Sequence, residues 1–276
     1  MNSKSILFEQ MPHIARARDF RLYAANGKRY VDLWQAGGAA VLGHNPSGVL
    51  RELKNTAERG LFAPLPNHLE ARFLKALAKL LPGYSFYVYA DEHSLYRALG
   101  GAGFSGKIVD PALHEQEEEK TVSLWRPFVP MDTSAYTLLI PVLPWYLSPK
   151  ALAIKTGAFP TGDSPPARRP FSDAIPPVIL AAAARALYDL LAEMEQGSRA
   201  APDFPKLAKA LKASGWRRKG IYIHYDGYMD TAGYSALFYR FLEAGFVLPP
   251  DPEQPAILPP VLSTGEEAKL AALIGE

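Results

Sequence analysis

Proline sets the strictest limit on how this chain can fold. The ring fixes φ and removes a backbone donor, so proline ends helices and is kept out of central strands. The 276-residue sequence carries 25 prolines, roughly twice the usual ~5% share. Many fall between Pro127 and Pro177, and six lie within Phe159–Pro177 alone (Pro160, Pro165, Pro166, Pro170, Pro176 and Pro177). That interval reads as loop, and regular elements must lie on either side of it.

On the N-terminal side, FRLYAANGKRYVDL (Phe20 to Leu33) places two short β-prone runs around Asn26-Gly27. That dipeptide readily takes the positive φ angles of a tight hairpin. Ser47 suits a helix N-cap, with Val49, Leu50, Leu53 and Ala57 at helical spacing and Gly60 as the stop. A second helix opens at Asn67 with Glu70 three residues on, and ends at Pro82-Gly83. Ser85–Ala90 reads as a buried strand followed by a short helix to Leu99. Lys107–Val109 and Thr121–Trp125 read as strands on either side of the acidic run His114–Lys120, and Tyr136–Leu143 as a buried strand broken by prolines. Beyond the loop come helices over Val178–Gln196, Phe204–Ala213, Thr231–Ala244 and Thr264–Ile274. Strands are expected over Lys219–Tyr225, Phe246–Leu248 and Ala256–Leu258. Alternating strands and helices make an α/β chain whose C-terminal third is its own α+β unit.

Composition excludes several function classes. With 30 Lys+Arg against 28 Asp+Glu, there is no general electrostatic reason to bind nucleic acid or an anionic membrane. No cysteine is present, which removes disulfides, thiolate metal sites and a cysteine nucleophile. The six histidines show no metal-ligand spacing, and no Walker, G-x-G-x-x-G or G-x-S-x-G motif occurs. Trp216-Arg217-Arg218-Lys219 is a small basic cluster, too slight to imply nucleic acid. Gly100-Gly101-Ala102-Gly103 follows a helix and reads as a linker. No apolar run is long enough for a signal peptide or a bilayer span, so a cytoplasmic protein is expected.

A family resemblance rests on motifs at both ends. Arg21-Leu22-Tyr23, Asn26 through Asp32 and Leu42-Gly43-His44 resemble the N-terminal signature of class III aminotransferases, most nearly the glutamate-1-semialdehyde aminomutase subgroup. Gly220–Tyr225, Tyr234–Phe238, Phe241–Gly245, Val247-Leu248-Pro249-Pro250 and Ser263–Glu267 are similar to that subgroup's final βαβ segment. The resemblance implies a fold type I architecture for pyridoxal-phosphate (PLP) transferases, with a mostly parallel large-domain sheet and an α+β small domain. Residues 1–45 would join the small domain 167–276, and 46–166 would be the large domain. Only the 81 residues Ser85–Pro165 stand where the family keeps its PLP-binding sheet, so the large domain is truncated. The resemblance also implies a homodimer, PLP at the carboxyl ends of the strands, and a small amino or keto substrate.

The family's site residues carry over unevenly. Ala151–Gly162 resembles a contracted form of its Lys-x-x-Gly-Gly-Gly-x-Pro-x-Gly element, which makes Lys155 the Schiff-base lysine, with Lys150 a second candidate. Pro160 and Gly162 each stand two positions too close to Lys155. Taken on its residues alone, Lys155 is a surface lysine at a strand end, and both readings stand at this point. His93, Ser94 and Thr156 are the residues left to hold the cofactor. Where the family has a phosphate-binding Ser-Gly-Thr turn, this chain has Asp91-Glu92-His93. Two carboxylates suit a helix N-terminus but repel a dianionic phosphate. The strand that should end in the pyridinium carboxylate has no acid, and Asp110 and Asp132 nearby read as turn residues. The loop expected to carry a phosphate-binding Thr has Pro170 there, with Arg168 and Arg169 as the remaining anion contacts. The expectation is an aminotransferase-like protein with PLP chemistry impaired or lost. The alternative is an active, compact aminotransferase or aminomutase using Lys155.

Overall fold

The computed structural model describes residues 7–101, 107–114, 122–158, 170–197 and 202–275. Pro160, Gly162, Arg168, Arg169, most of the acidic run and Ala102-Gly103 lie outside the described residues. In chain order the elements are β1 (Ile14–Arg18), β2 (Arg21–Ala24), β3 (Arg29–Asp32), α1 (Ser47–Glu58), α2 (His68–Leu80), β4 (Tyr84–Tyr89), α3 (Glu92–Gly101), β5 (Ile108–Val109) and β6 (Val122–Trp125). They continue with β7 (Leu138–Pro141), β8 (Lys150–Lys155), α4 (Pro177–Gln196), α5 (Pro205–Ala213), β9 (Trp216–Lys219), β10 (Tyr222–Tyr225), α6 (Thr231–Ala244), β11 (Phe246–Val247), β12 (Ala256–Ile257) and α7 (Thr264–Gly275).

Two compact units result. One gathers residues 1–45, 128–130 and 196–276, and the other holds 46–127 and 131–195. The division falls at Gln196 instead of residue 167, so α4 belongs with the sheet of the second unit.

In the first unit, β2 and β3 form the hairpin around Asn26-Gly27, where Gly27 has φ 83° and the Lys28 amide donates to Asn26 Oδ1 at 3.0 Å. β1 adds antiparallel to β2, and β11 adds parallel to β3. The chain's two ends are thereby stitched together: Val31 N–H donates to Gly245 O at 2.8 Å and Leu33 N–H to Val247 O at 2.9 Å. Lys28 Nζ donates to Leu242 O and Glu243 O at the end of α6, where Gly245 closes the helix at φ 97°. A positive charge there offsets the helix dipole. β12, β10 and β9 form a second sheet. The expected strand Lys219–Tyr225 is in fact the turn and second arm of a hairpin whose first arm is the basic cluster Trp216–Lys219. Its turn residue Gly220 sits at φ 61°, and a Cβ there would run into the Phe128 carbonyl oxygen. Only glycine fits.

The second unit is a five-stranded sheet in the order β4-β8-β7-β6-β5. β5, β6 and β7 are mutually parallel, while β8 is antiparallel to both β7 and β4. Four strands therefore run one way and β8 alone runs back, the mostly parallel sheet expected. Leu95 and Leu99 of α3 cover Tyr89, Leu138, Leu152 and Ile154 in one apolar cluster. Val49 of α1 packs on Ala182 and Ala186 of α4. α1 is capped by Pro46 with no side-chain bond, so Ser47 is the first helical residue and not the cap. α2 begins as expected, with Asn67 accepting from Leu69 N–H. Among the described residues no helix is long and apolar enough to cross a membrane.

Glu266 ties the hairpin to α7. Arg21 reaches it through Nη2 at 2.7 Å and Nε at 3.2 Å, and Arg29 lies 3.4 Å away. Burial pushes this carboxyl up, but the Arg21 and Ser263 hydrogen bonds outweigh it and hold Glu266 below its ordinary 4.5. Between that value and the lower folded one, the unfolded chain binds the proton more, so the stabilisation is lost as pH falls. Glu266→Gln should therefore be less stable than the parent at neutral pH. In urea melts the gap should narrow once pH drops below 4.5.

Candidate functional site

Open α/β sheets bind ligands outside the carboxyl ends of their parallel strands. Here that edge is formed by the ends of β4, β5, β6 and β7, and β8 begins there at Lys150. Lys150 lies opposite Tyr89 across the strand pair. Lys155, at the far end of β8, is paired with Tyr84 at the start of β4. Five residue steps separate the two lysines, about 16 Å along a strand.

The sequence-expected site residues consequently divide between opposite edges. Lys155 is exposed, and its Nζ donates to Ser134 O at 2.7 Å. Thr156 beside it is exposed, with its N–H on Gly83 O at 2.9 Å. Asp132 lies near Lys155, accepting from the Ser134 hydroxyl at 2.7 Å and amide at 2.9 Å. Those bonds, then the Lys155 charge, hold Asp132 below the usual carboxylate range. It is a turn cap, as its sequence suggests. His93 and Ser94 stand at the ligand edge, in the first turn of α3. The structure does not bring them to Lys155 and Thr156.

At the ligand edge, the turn after β4 is built by carboxylates. Asp91 Oδ1 accepts the Ser94 amide at 2.7 Å, which holds Asp91 below its ordinary value, helped by the Ser94 hydroxyl and the His93 and Arg97 charges. Asp91 thus occupies one of the first-turn donors that an anion at this helix end would need. Glu92 takes Lys150 at 3.2 Å. The segment after the proline loop laces the outer edge of β4. Ser172 Oγ accepts from Val88 N–H at 3.0 Å, and Asp173 Oδ2 accepts from Ala90 N–H at 3.0 Å. Burial pushes the Tyr89 phenol up to about 12, with Asp173 and then Tyr87 adding to it. Among the described residues, Asp91, Glu92 and Asp173 stand at this edge together with Lys150, His93 and Arg97.

The described residues at this edge do not fit the phosphate of PLP. The turn that should cradle a dianion opens on Asp91 and Glu92, Asp91 already takes the Ser94 amide, and Lys150 already has a carboxylate partner.

Two features escaped the sequence reading. Arg126 follows β6 and is buried with Asp110, which follows β5. Their forked contact runs from Nε to both carboxylate oxygens at 2.8 and 2.9 Å, and from Nη2 to Oδ2 at 2.6 Å. Asp110 also accepts the Ala112 amide at 3.0 Å, so it is more than the turn residue expected. The signal was present in Arg126 itself: an arginine ending the apolar run Val122–Trp125 must find a carboxylate to be buried. The second feature is the direction of β8, which brings Lys150 and not Lys155 to the ligand edge.

No family model matches the chain. An uncharacterized protein of Treponema pallidum (strain Nichols) is 27% identical and aligns over 92% of this chain and 91% of its own length. Glutamate-1-semialdehyde 2,1-aminomutase of Sorangium cellulosum (strain So ce56) is 38% identical over 69 residues, 25% of this chain and 16% of that protein. Among solved structures, Plasmodium falciparum ornithine delta-aminotransferase superposes with a TM-score of 0.67 at 12% identity, covering 99% of this chain and 97% of that one. A glutamate-1-semialdehyde aminomutase from Pseudomonas aeruginosa PAO1 gives 0.62 at 12% identity, covering 95% and 86%. The chain has the fold of these aminotransferases, the fold type I architecture.

The two ion pairs at the ligand edge differ in burial and should differ in worth. Asp110→Asn leaves a buried guanidinium without its charge partner, and should cost about 3–5 kcal/mol in urea unfolding. Glu92→Gln opens a largely exposed pair and should cost no more than about 1 kcal/mol.

Proposed function

We propose that this chain is an aminotransferase-like protein in which standard PLP-dependent amino transfer has been lost while the fold is kept. The observation that carries this reading is the charge of the ligand edge. Asp91 and Glu92 open the helix where a PLP phosphate would lie, and Glu92 holds Lys150 at 3.2 Å, although Arg97 also stands in this turn. Carboxylates at that helix end favour a small amino compound over a phosphorylated cofactor. A keto compound would have to be held by hydrogen bonds alone. Function lives in the site, so the shared fold does not by itself carry the chemistry across.

The alternative is an active, compact aminotransferase or aminomutase. Using Lys155 it would need the cofactor at the opposite edge of the sheet, beside Asp132 and Ser134. Using Lys150 it would need Glu92 to release the ammonium. On the favoured reading the protein works as a cytoplasmic homodimer. In support, Phe62, Leu65, Tyr146, Leu147 and Phe171 of the sheet unit are large apolar side chains left exposed.

The test is to incubate the purified chain with PLP, record the visible spectrum, reduce with borohydride and map modified lysines by mass spectrometry. The expected outcome is no stoichiometric label. Stoichiometric label on Lys155, or on Lys150, would establish the active reading and tell which edge is used. Light scattering coupled to size exclusion should give twice the 30.3 kDa chain mass.

A further inference from the structure

The first unit's sheet ends on one side at β1, a surface that neither the resemblance nor the proposed function uses. The strand order is β1-β2-β3-β11, and among the described residues nothing pairs with the outer side of β1. Alternate N–H and C=O groups of such a strand point away from the sheet, a row of partners for another extended chain. A bulge shifts the register between Ile14 and Arg16, so the straight part of this edge is Arg16–Arg18.

The register decides what an added chain must carry. Ala17 stands opposite Leu22, and both pack with the apolar cluster on one side of the sheet. The residues on either side of Ala17 turn to the opposite face. There Arg16 stands opposite Tyr23 and Tyr23 opposite Arg29, while Arg18 stands opposite Arg21. Four arginines thus share one face of three strands. Two contacts agree with that placement: the Arg16 guanidinium lies 4.3 Å from the Tyr23 ring centre, and Arg21 and Arg29 both reach Glu266.

Glu266 shows what this face holds. It supplies a carboxylate to the two inner arginines, at 2.7 and 3.4 Å. Among the described residues the outer two have no equivalent. Arg16 has the Tyr23 ring, and Arg18 has only its neighbour Asp19 at 3.7 Å, with the two side chains 68% and 73% exposed. So exposed a contact is screened by salt and readily exchanged. Arg16 and Arg18 are two positions apart, about 7 Å along a strand. Carboxylates at alternate positions of an extended peptide have the same spacing. Two copies of β1 laid edge to edge would bring arginine to arginine, which disfavours self-pairing. A nucleic-acid strand offers anions but no main chain to match the open N–H and C=O groups.

We infer that β1 is a docking edge for an acidic partner segment, which adds as a further strand and sets alternate Asp or Glu side chains beside Arg16 and Arg18. Docking there does not depend on the ligand edge of the second unit or on PLP.

The experiment titrates the full chain with a short peptide alternating glutamate and threonine, read by NMR on the backbone amides. Saturable shifts are expected at Arg16–Arg18 and across β2. Two control peptides act on the unaltered protein. One has lysine for glutamate, and the other keeps its charge but is N-methylated on alternate backbone nitrogens, in both alternations. Neither the lysine peptide nor at least one of the methylated pair should bind. The double variant Arg16→Gln, Arg18→Gln should weaken the acidic peptide about tenfold, the product of two exposed ion pairs each worth about threefold. Unchanged amide signals in α6 and α7 report that this variant folds. Absence of saturable binding, shifts confined to other parts of the chain, or equal binding of both methylated peptides overturns the inference. So does parent-like binding by the double variant, or tighter binding of an oligothymidylate to the same amides.

Discussion

The parallel pairing of β3 with β11 is the contact on which the first unit depends. It joins strands that are remote in the chain: Lys28 and Glu243, which flank the pairing, are 215 positions apart. Ordering so long a loop costs entropy, but that cost grows only slowly with length, so a modest set of contacts can meet it. The structure concentrates them at one place. Two ladder bonds, the Lys28 contact with the end of α6, and the Glu266 contacts with Arg21 and Arg29 all act on the same hairpin. Leu22, Tyr30, Val31 and Leu33 then share one apolar cluster with Phe238, Phe241 and Phe246.

The site depends on a different constraint, the direction of a single strand. Because β8 runs against its neighbours, its first residue shares an edge with the ends of β4 to β7 and its last residue lies at the starts. The same six-residue strand thus sorts two lysines into different surroundings. Lys150 meets Glu92 and the α3 terminus, whereas Lys155 meets a carbonyl and a turn aspartate. On the function proposed above, electrostatics, and not fold, separates this edge from a phosphate site.

Local signals in the sequence were dependable where local physics decides. Asn26-Gly27 marked a hairpin because glycine supplies the one positive φ its turn needs (Gly27, 83°) and Asn26 accepts the Lys28 amide, and Asn67 capped α2 because its side chain reaches the Leu69 amide. Asp91 acted as a cap, the role its position before a helix suggests. What failed required information from distant residues. β1 reads IARAR with four of five residues exposed, so no apolar face announces it, and it becomes a strand only by pairing with β2. Motif spacing favoured Lys155 over Lys150, since spacing carries no strand direction. Arg126 and Asp110 are 16 positions apart and meet only because β5 and β6 lie side by side.

The short visit of Phe128–Pro130 to the first unit has a consequence for the chain as a covalent object. The backbone passes between the two units four times, after Asn45, Pro127, Pro130 and Glu195. The first unit is assembled from three separate stretches, and the second is threaded into it as an interrupted insertion. No truncation from either terminus, and no single proteolytic nick, can release one unit intact. The two are distinct as packed bodies, yet the gene cannot be cut once to yield either.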